Sequence, residues 1–595
     1  MPKQKMTTEE AFIKVLQMHG IENAFGIIGS AMMPVTDLFP KAGITFWDCG
    51  HEFSAGMMAD GFTRASGKMS MLVGQNGPGI ANFVTPVKVA FWNHTPLLVI
   101  TAQAANMTMG QGGFQEVPQM AMFQDMVAYQ EEVRHPARVA EVLNRVIMRA
   151  KRASAPAQIN IPRDFWTQVI EIELPPILEF ERPAGGQAAI ARAAELLSKA
   201  KFPVFLNGGG VVIGGAINDS IALAERLDAP VCCNYQHNDA FPGSHPLFMG
   251  PLGYNGSKAG MRIISKADVV LALGNRLNPF STLPCYGIQY WPSDAEIIQV
   301  DINPDRIGLT HPITLGIVGD AGNVARCILD KLSDTAGDIN REKRKAAIAE
   351  AKADWAKELA TMDHEADDLG STWNERCQKR EPHKMTARMA WRAIIAALPK
   401  AAIISSDIGN NCAVGNAYPT FEEGRKYLAP GLFGCCGYGF PAILGAKIAK
   451  PDVPVVGFAG DGAFGISMNE MTACGRDGWP AITMIIFRNF QWGAEKRNTT
   501  LWYDDNFVGT ELNPKVSYAG IAKACGLDGV QVTAMEDLTE TLNRAIEVQM
   551  AEGRTTFIEV MTNQELGEPF RRDAMSTPVA YAGIDKADMR PQKGA

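Results

Sequence analysis

Short β-branched runs alternate with longer helical segments along almost the whole chain, and this rhythm restricts the fold more than any other feature. TFWD, SMLVGQ, LLVITA and AQINIP set it in the first third. A strand followed by enough chain for a helix to return along the sheet is the pattern of parallel α/β units. At 595 residues, and about 100–200 residues per domain, several such units are required. The expected fold class is α/β, with three doubly wound parallel-sheet domains.

Pro- and Gly-rich punctuation marks the divisions. A first unit over 1–183 ends in ELPPILEFERPAGG, and a second over 184–334 carries the strands PVFLNGGG, DVVLALGNR and EIIQVDINP. The charged stretch 335–382, centred on NREKRKAAIAEAKADWAKELA, reads as a solvated connecting helix. A third unit over 383–562 contains AAIISSDIGNN, VPVVGFAGDG and AITMIIFRN. The tail 563–595 has little periodicity and is expected to wrap over the surface or over a neighbouring subunit.

Composition excludes several classes. Hydrophobic residues make up 46% and charged residues 20%, so the chain is neither disordered nor fibrous. A net charge of -8 gives no general attraction to nucleic acid or to an anionic membrane. The apolar stretches fall far short of the roughly 18 residues a membrane span needs. The start, MPKQKMTTEEAF, enters an amphipathic helix without an apolar leader. Eleven cysteines, with Cys232/Cys233 and Cys435/Cys436 adjacent, suit neither a disulfide framework nor a zinc site, so reduced thiols in a cytoplasmic setting are expected.

The stretch richest in chemistry is Gly460-Asp461-Gly462-Ala463, after the apolar run VVGFA. Asp461 therefore stands at the carboxyl end of a strand, where open parallel sheets bind ligands, and the glycines let a diphosphate approach backbone N–H groups at the next helix. Asn489 follows 28 residues later, after the strand AITMIIF. Two oxygen donors on neighbouring strand ends suit Mg²⁺, which takes the rest of its octahedron from water and phosphate.

The combination of Leu444-Gly445, Pro451, Val456, Phe458, GDGA and the spaced Asn489 resembles the diphosphate-binding motif of thiamine-diphosphate enzymes of the acetolactate synthase-like superfamily. Two more segments strengthen the resemblance. GHEFSAGMMADGFTRASGK places Glu52 where the family has its activating glutamate, with QNGPGIAN as its glycine-rich companion, and FGCCGYGFPAILGA looks like the segment that grips the cofactor's pyrimidine.

The resemblance implies thiamine diphosphate and Mg²⁺ as cofactors, with Asp461, Asn489 and a backbone carbonyl near Gln491 as metal ligands. It assigns cofactor contacts to Gly460, Gly462 and Ala463, to the Gly434 carbonyl and the Cys436 N–H, and to Asp407, Gly409 and Asn410 in DIGNN. Cys436 stands where the family usually has Leu, Ile or Met, and Arg488 precedes Asn489 where many relatives show a second Asn. Glu52 would hold a proton for the cofactor's aminopyrimidine, as a carboxylate in an apolar pocket can near neutrality. His51, His94 and Gln115 are candidates for moving protons. Because the family sets the glutamate of one subunit against the diphosphate site of another, a homodimer or homotetramer with inter-subunit active sites is implied.

RNFQWGAEKRNTTLWYDDNFVGTELNP and the tail NQELGEPFRRDAMSTPVAYAGIDKADMRPQ resemble a branch of the family that converts sulfoacetaldehyde and phosphate to acetyl phosphate and sulfite. Such chemistry needs cations for two anions, and Arg497, Lys496, Arg571 and Arg572 are the candidates. Acetolactate synthesis from pyruvate is the rival activity, and a catalytically inactive regulatory relative the rival from another class. The glycine-rich NGGGVVIGGA is expected to be scaffold, without flavin, since the implied reaction is redox-neutral.

Overall fold

A computed structural model of the chain describes residues 3–362, 385–496 and 507–564. Three six-stranded sheets, each parallel throughout, follow one another along the chain, as the strand–helix rhythm requires. In the first, the order is Thr45–Asp48, Asn23–Gly26, Ser70–Val73, Leu97–Gln103, Ala157–Pro162 and Tyr129–Glu132. A short antiparallel ribbon of Gln4–Thr7 with Val169–Ile172 closes that unit.

The third sheet repeats the first sheet's order with Tyr427–Leu428, Ile403–Ser406, Val455–Gly460, Thr483–Arg488, Thr556–Met561 and Asp528–Val532. In both, the connections leave in opposite directions from the second and third strands of that order, which opens a crevice at their carboxyl ends. The central sheet has Pro203–Asn207 and Val269–Leu273 at the equivalent point.

The first and third units share one apolar core, in which Phe25, Met58 and Phe62 join Phe440, Leu444 and Phe464. Helix Glu52–Ser66 crosses helix Gly439–Ala449 at backbone contact. A Cβ at Gly61 would collide with the Ala442 carbonyl, and one at Gly445 with that of Met58. Tyr438 Oη donates to Asp60 Oδ2 at 2.6 Å, and Arg64 Nη1 donates to the Ala429 carbonyl at 2.7 Å, pinning the crossing.

The charged stretch corrects the sequence expectation. Helix Arg341–Met362 is docked on the central unit, with Arg344, Ile348, Ala351 and Trp355 buried. Arg344 donates five hydrogen bonds to backbone carbonyls, of Lys201, Leu227, Asp228, Gly337 and Ile339. Its charge run misled because one arginine in it faces inward. Arg344→Ala would strand those carbonyls, so the variant is expected to lose about 3 kcal/mol or more of stability, read as a lower thermal unfolding midpoint.

Every cysteine among the described residues is free. No helix among them is long and apolar enough to cross a membrane.

Candidate active site

The crevice of the third sheet holds a cavity of about 740 Å³. Strand Ile403–Ser406 leads to Gly409, which has a φ of 121° and precedes helix Asn410–Val414. Strand Val455–Gly460 ends at Asp461, the first residue of helix Asp461–Ser467. Gly409, Asn410, Gly460, Asp461, Gly462, Ala463, Asn489 and Gln491 all line the cavity, as do Gly434 and Cys436. Residues far apart in sequence thus meet where the sheet's topology opens it. Gly462 is required there because a Cβ would lie 2.9 Å from the Trp492 ring.

Asp461 is locked in place. Its Oδ2 accepts from Arg488 Nη1 (3.1 Å), Asn489 N (3.1 Å) and Phe490 N (2.6 Å), while Oδ1 accepts from its neighbour Gly462 N at 3.0 Å. Burial pushes the carboxyl up to about 6, against the opposing pull of Arg488 and these amides. Gln491 Oε1 is buried without a hydrogen-bond partner, while its Nε2 donates to the Gln564 carbonyl. A carboxylate, an amide and an orphaned buried oxygen on one cavity wall form an oxygen donor set fit for a hard divalent cation. Among the described residues no cluster of three or more His, Cys, Asp or Glu offers another such site.

Asp407 departs from the expected role. Its carboxylate does not line the cavity, since Oδ1 accepts from Ile408 N and Gly437 N and Oδ2 accepts from Gly439 N. Burial pushes it up to about 6 in spite of these amides. It fastens the turn that carries Gly434 and Cys436 to the helix behind them. Burial also pushes the Cys436 thiol up to about 12, so the side chain is a neutral, apolar wall.

The N-terminal candidates stand elsewhere in the same chain. Glu52 opens helix Glu52–Ser66, is 7% exposed, and accepts from Asn82 Nδ2 at 2.9 Å. His51 caps that helix, its Nδ1 accepting from Phe53 N at 3.0 Å. Gln115 Oε1 accepts from Gln75 Nε2 at 2.8 Å. None of the three lines the cavity of its own chain.

His94 lines a second cavity of about 510 Å³ instead, at the central sheet's crevice. Burial and the charges of Arg276 and Arg306 pull it down to about 3, so it is neutral near pH 7. The glycine-rich turn of the central unit borders this second cavity. Its pattern is explained by packing, because a Cβ at Gly210 would lie 2.7 Å from Gly274 Cα and one at Gly274 would lie 2.8 Å from Gly210 Cα.

Among the described residues, the cations that line the main cavity are Arg276 and Arg306, and Lys496 is not one of them. Lys496 is buried against Glu511 and lies over the Phe507 ring, off the cavity wall. Arg497, Arg571 and Arg572 lie outside the described residues. Arg276, on a loop of the central unit, and Arg306, which ends the short helical turn Pro304–Arg306, line the cavity beside Trp92, their guanidinium carbons 5.1 and 5.7 Å from its ring centroid. Arg276 Nη2 donates to the Trp92 carbonyl at 3.1 Å, and Nη1 is buried without a partner. Burial and the like charge of Arg306 pull Arg276 down to about 10, still protonated near neutrality. The sequence signal was slight: Arg276 follows a Gly-Asn turn at a strand's carboxyl end. The tail also begins inside, since Gln564 Nε2 donates to the Asn489 carbonyl at 3.2 Å.

Three thiamine pyrophosphate enzyme models match this chain. They are the N-terminal TPP binding domain over residues 6–122, the central domain over 190–328 and the C-terminal TPP binding domain over 407–560. A sulfoacetaldehyde acetyltransferase of Roseovarius nubinhibens is 73% identical over 589 residues, which is 99% of this chain and 98% of that protein. One from Rhodobacter capsulatus is 70% identical over 588 residues, covering 99% of this chain and all of that protein. A probable acetolactate synthase large subunit of Methanocaldococcus jannaschii is 29% identical over 554 residues, 91% of this chain and 90% of that protein.

Proposed function

The chain belongs to the thiamine pyrophosphate enzyme family, and from that premise we infer that it is an acyltransferase converting sulfoacetaldehyde and phosphate to acetyl phosphate and sulfite. The observation that carries the reading is one cavity in which the Asp461–Asn489–Gln491 wall faces Arg276 and Arg306. A diphosphate and two small anions thereby find oxygen donors and cations in a single space. Acetolactate synthesis is disfavoured by the much lower identity to that relative.

When bound, thiamine diphosphate supplies a carbon nucleophile for the aldehyde carbon. Asp461, Asn489 and Gln491 would hold Mg²⁺, and the open turn at Gly460 and Ala463 would leave room beside them for the diphosphate. Gly409 and Asn410 would border the same anion, and the Gly434 carbonyl and the Cys436 N–H would hold the pyrimidine. Glu52 of the partner subunit would hold the proton that the cofactor's ring nitrogen needs, and the partner's His51 and Gln115 would come with it. The minimal active unit is accordingly a dimer. In support, Glu52 does not line its own chain's cavity, and Phe433 and Ile466, on the domain that carries the cavity, are 40% and 49% exposed.

Arg276, with its free Nη1, binds the sulfonate or the incoming phosphate by charge-assisted hydrogen bonds, and Arg306 holds the second anion. Excluding water is part of their task, because the acetyl group must pass to phosphate. Arg276→Met should raise KM for sulfoacetaldehyde or for phosphate by about 10- to 100-fold, the size of one lost charged hydrogen bond. Unchanged KM for both would remove Arg276 from the anion site. The reading as a whole is tested by sulfite release from sulfoacetaldehyde with and without phosphate. Acetolactate formed from pyruvate without acetyl phosphate would reject it.

A further inference from the structure

Arg488 ends strand Thr483–Arg488 with its side chain 1% exposed. A buried guanidinium has to be paired and hydrogen-bonded to be tolerated. Here its planar fork reaches two places at once. Nη1 donates to Asp461 Oδ2 at 3.1 Å, while Nη2 donates to the carbonyls of Asn513 and Val516 at 2.9 and 2.8 Å. Its flat faces are covered by Phe490 and Tyr518, whose ring centroids lie 4.3 and 5.1 Å away.

The far side is equally ordered. Glu559, fully buried, forms an ion pair with Arg488 Nε at 3.6 Å and accepts from Tyr518 N, Ala519 N and Ser517 Oγ, capping helix Tyr518–Ala524. Tyr518 Oη then returns to the start, donating to the Asp461 carbonyl at 2.9 Å. Asp461, Arg488, the Asn513–Val516 turn and Tyr518 thus form a closed ring of contacts.

We propose that Arg488 is a positioning residue for the cation site, holding one oxygen of the Asp461 carboxylate so that the other is presented to the metal, and tying that carboxylate to the Asn513–Val516 turn. The proposal rests on Asp461 as a metal ligand. Among the described residues, Oδ2 accepts from three donors, of which Arg488 is the one side chain, whereas Oδ1 accepts from the adjacent Gly462 amide alone. Swinging the carboxylate out of this position would break the Arg488 bond and both loop amide bonds. Lysine cannot replace this clamp, because a single ammonium on a flexible stem does not span a carboxylate and two carbonyls in the geometry of a fork.

The test is a Mg²⁺ titration at fixed thiamine diphosphate, followed by tryptophan fluorescence, for which Trp492 against Gly462 is the built-in reporter. In Arg488→Lys the Mg²⁺ concentration for half-maximal change should rise about tenfold or more, the usual cost of losing a group that supports a metal ligand. Saturating Mg²⁺ should restore cofactor binding. A purely structural arginine would lower the unfolding midpoint of the apoprotein without moving the Mg²⁺ midpoint of the folded protein. Tyr518→Phe removes one hydroxyl of the same ring and decides the matter if Arg488→Lys does not fold; it should shift the Mg²⁺ midpoint in the same direction. Mg²⁺ midpoints within twofold of the parent's in every variant that folds would overturn the proposal. Asp461→Ala separates the two levels. If that variant keeps the parent's Mg²⁺ midpoint, the ligand assignment itself fails. If it loses Mg²⁺ dependence while Arg488→Lys is unshifted, only the clamp is wrong.

Discussion

Glu52→Gln is expected to bind thiamine diphosphate within about twofold of the parent protein while releasing sulfite about 10³-fold more slowly, the scale of a lost proton-transfer partner. The amide keeps the shape and volume of the carboxylate, so the helix start, the Asn82 contact and the packing beside Gly79, whose Cβ would lie 3.0 Å from Glu52 Oε1, tolerate it. What it loses is the capacity to hold and share a proton. Because Glu52 is absent from the cavity of its own chain, the metal and diphosphate walls are untouched by the change. Calorimetric titration with the cofactor and Mg²⁺, beside a sulfite assay, reads both quantities. More than a tenth of the parent's activity in the glutamine variant would remove Glu52 from the role.

Asp461→Ala should do the opposite, weakening Mg²⁺-dependent cofactor binding itself. Supporting groups around a metal ligand cost about 10- to 100-fold in affinity when removed, and a direct ligand should cost more. Its carboxylate also accepts four hydrogen bonds, so the alanine variant leaves Arg488 without its carboxylate partner at Asp461 and loosens the turn. Asp461→Asn, which keeps the volume but removes the charge, should retain the fold and still bind cofactor poorly.

Mixing the two defective proteins gives the sharpest result. If each site takes Glu52 from one subunit and Asp461 from the other, a mixed dimer has one site with both defects and one with none. Random reassociation makes half the dimers mixed, so about a quarter of the parent's activity should return. A site built within a single chain would yield no recovery, since every chain carries one lesion.

The glycine turn at Gly460–Gly462, the spaced Asn489 and the helix opening at Glu52 were legible because each is a local pattern around one strand end. Gly434 and Cys436 line the same cavity. Asp407 was read as a cofactor contact for the same local reason, a carboxylate after a strand, and only the positions of Gly437 and Gly439 show that its oxygens accept from their amides instead. Arg276 and Arg306 were overlooked because nothing near them in sequence marks an anion site. They acquire meaning through Trp92, about 180 residues from Arg276 and supplied by a different domain. Arg344 shows the limit from another side, since its neighbours in sequence are those of a solvated helix while its partners are carbonyls of the central unit.

Read alone, the order of residues determined the sheet type, the three-unit division and the chemistry available at strand ends. Periodicity and turn residues act over a few positions and do not depend on distant parts of the chain. Only the tertiary structure decided which strand ends open onto the same space, which carboxylates face it and which turn to helix amides, and where the cations stand. Those outcomes depend on strand order and on domains docking across hundreds of residues, through contacts that no short stretch of sequence encodes.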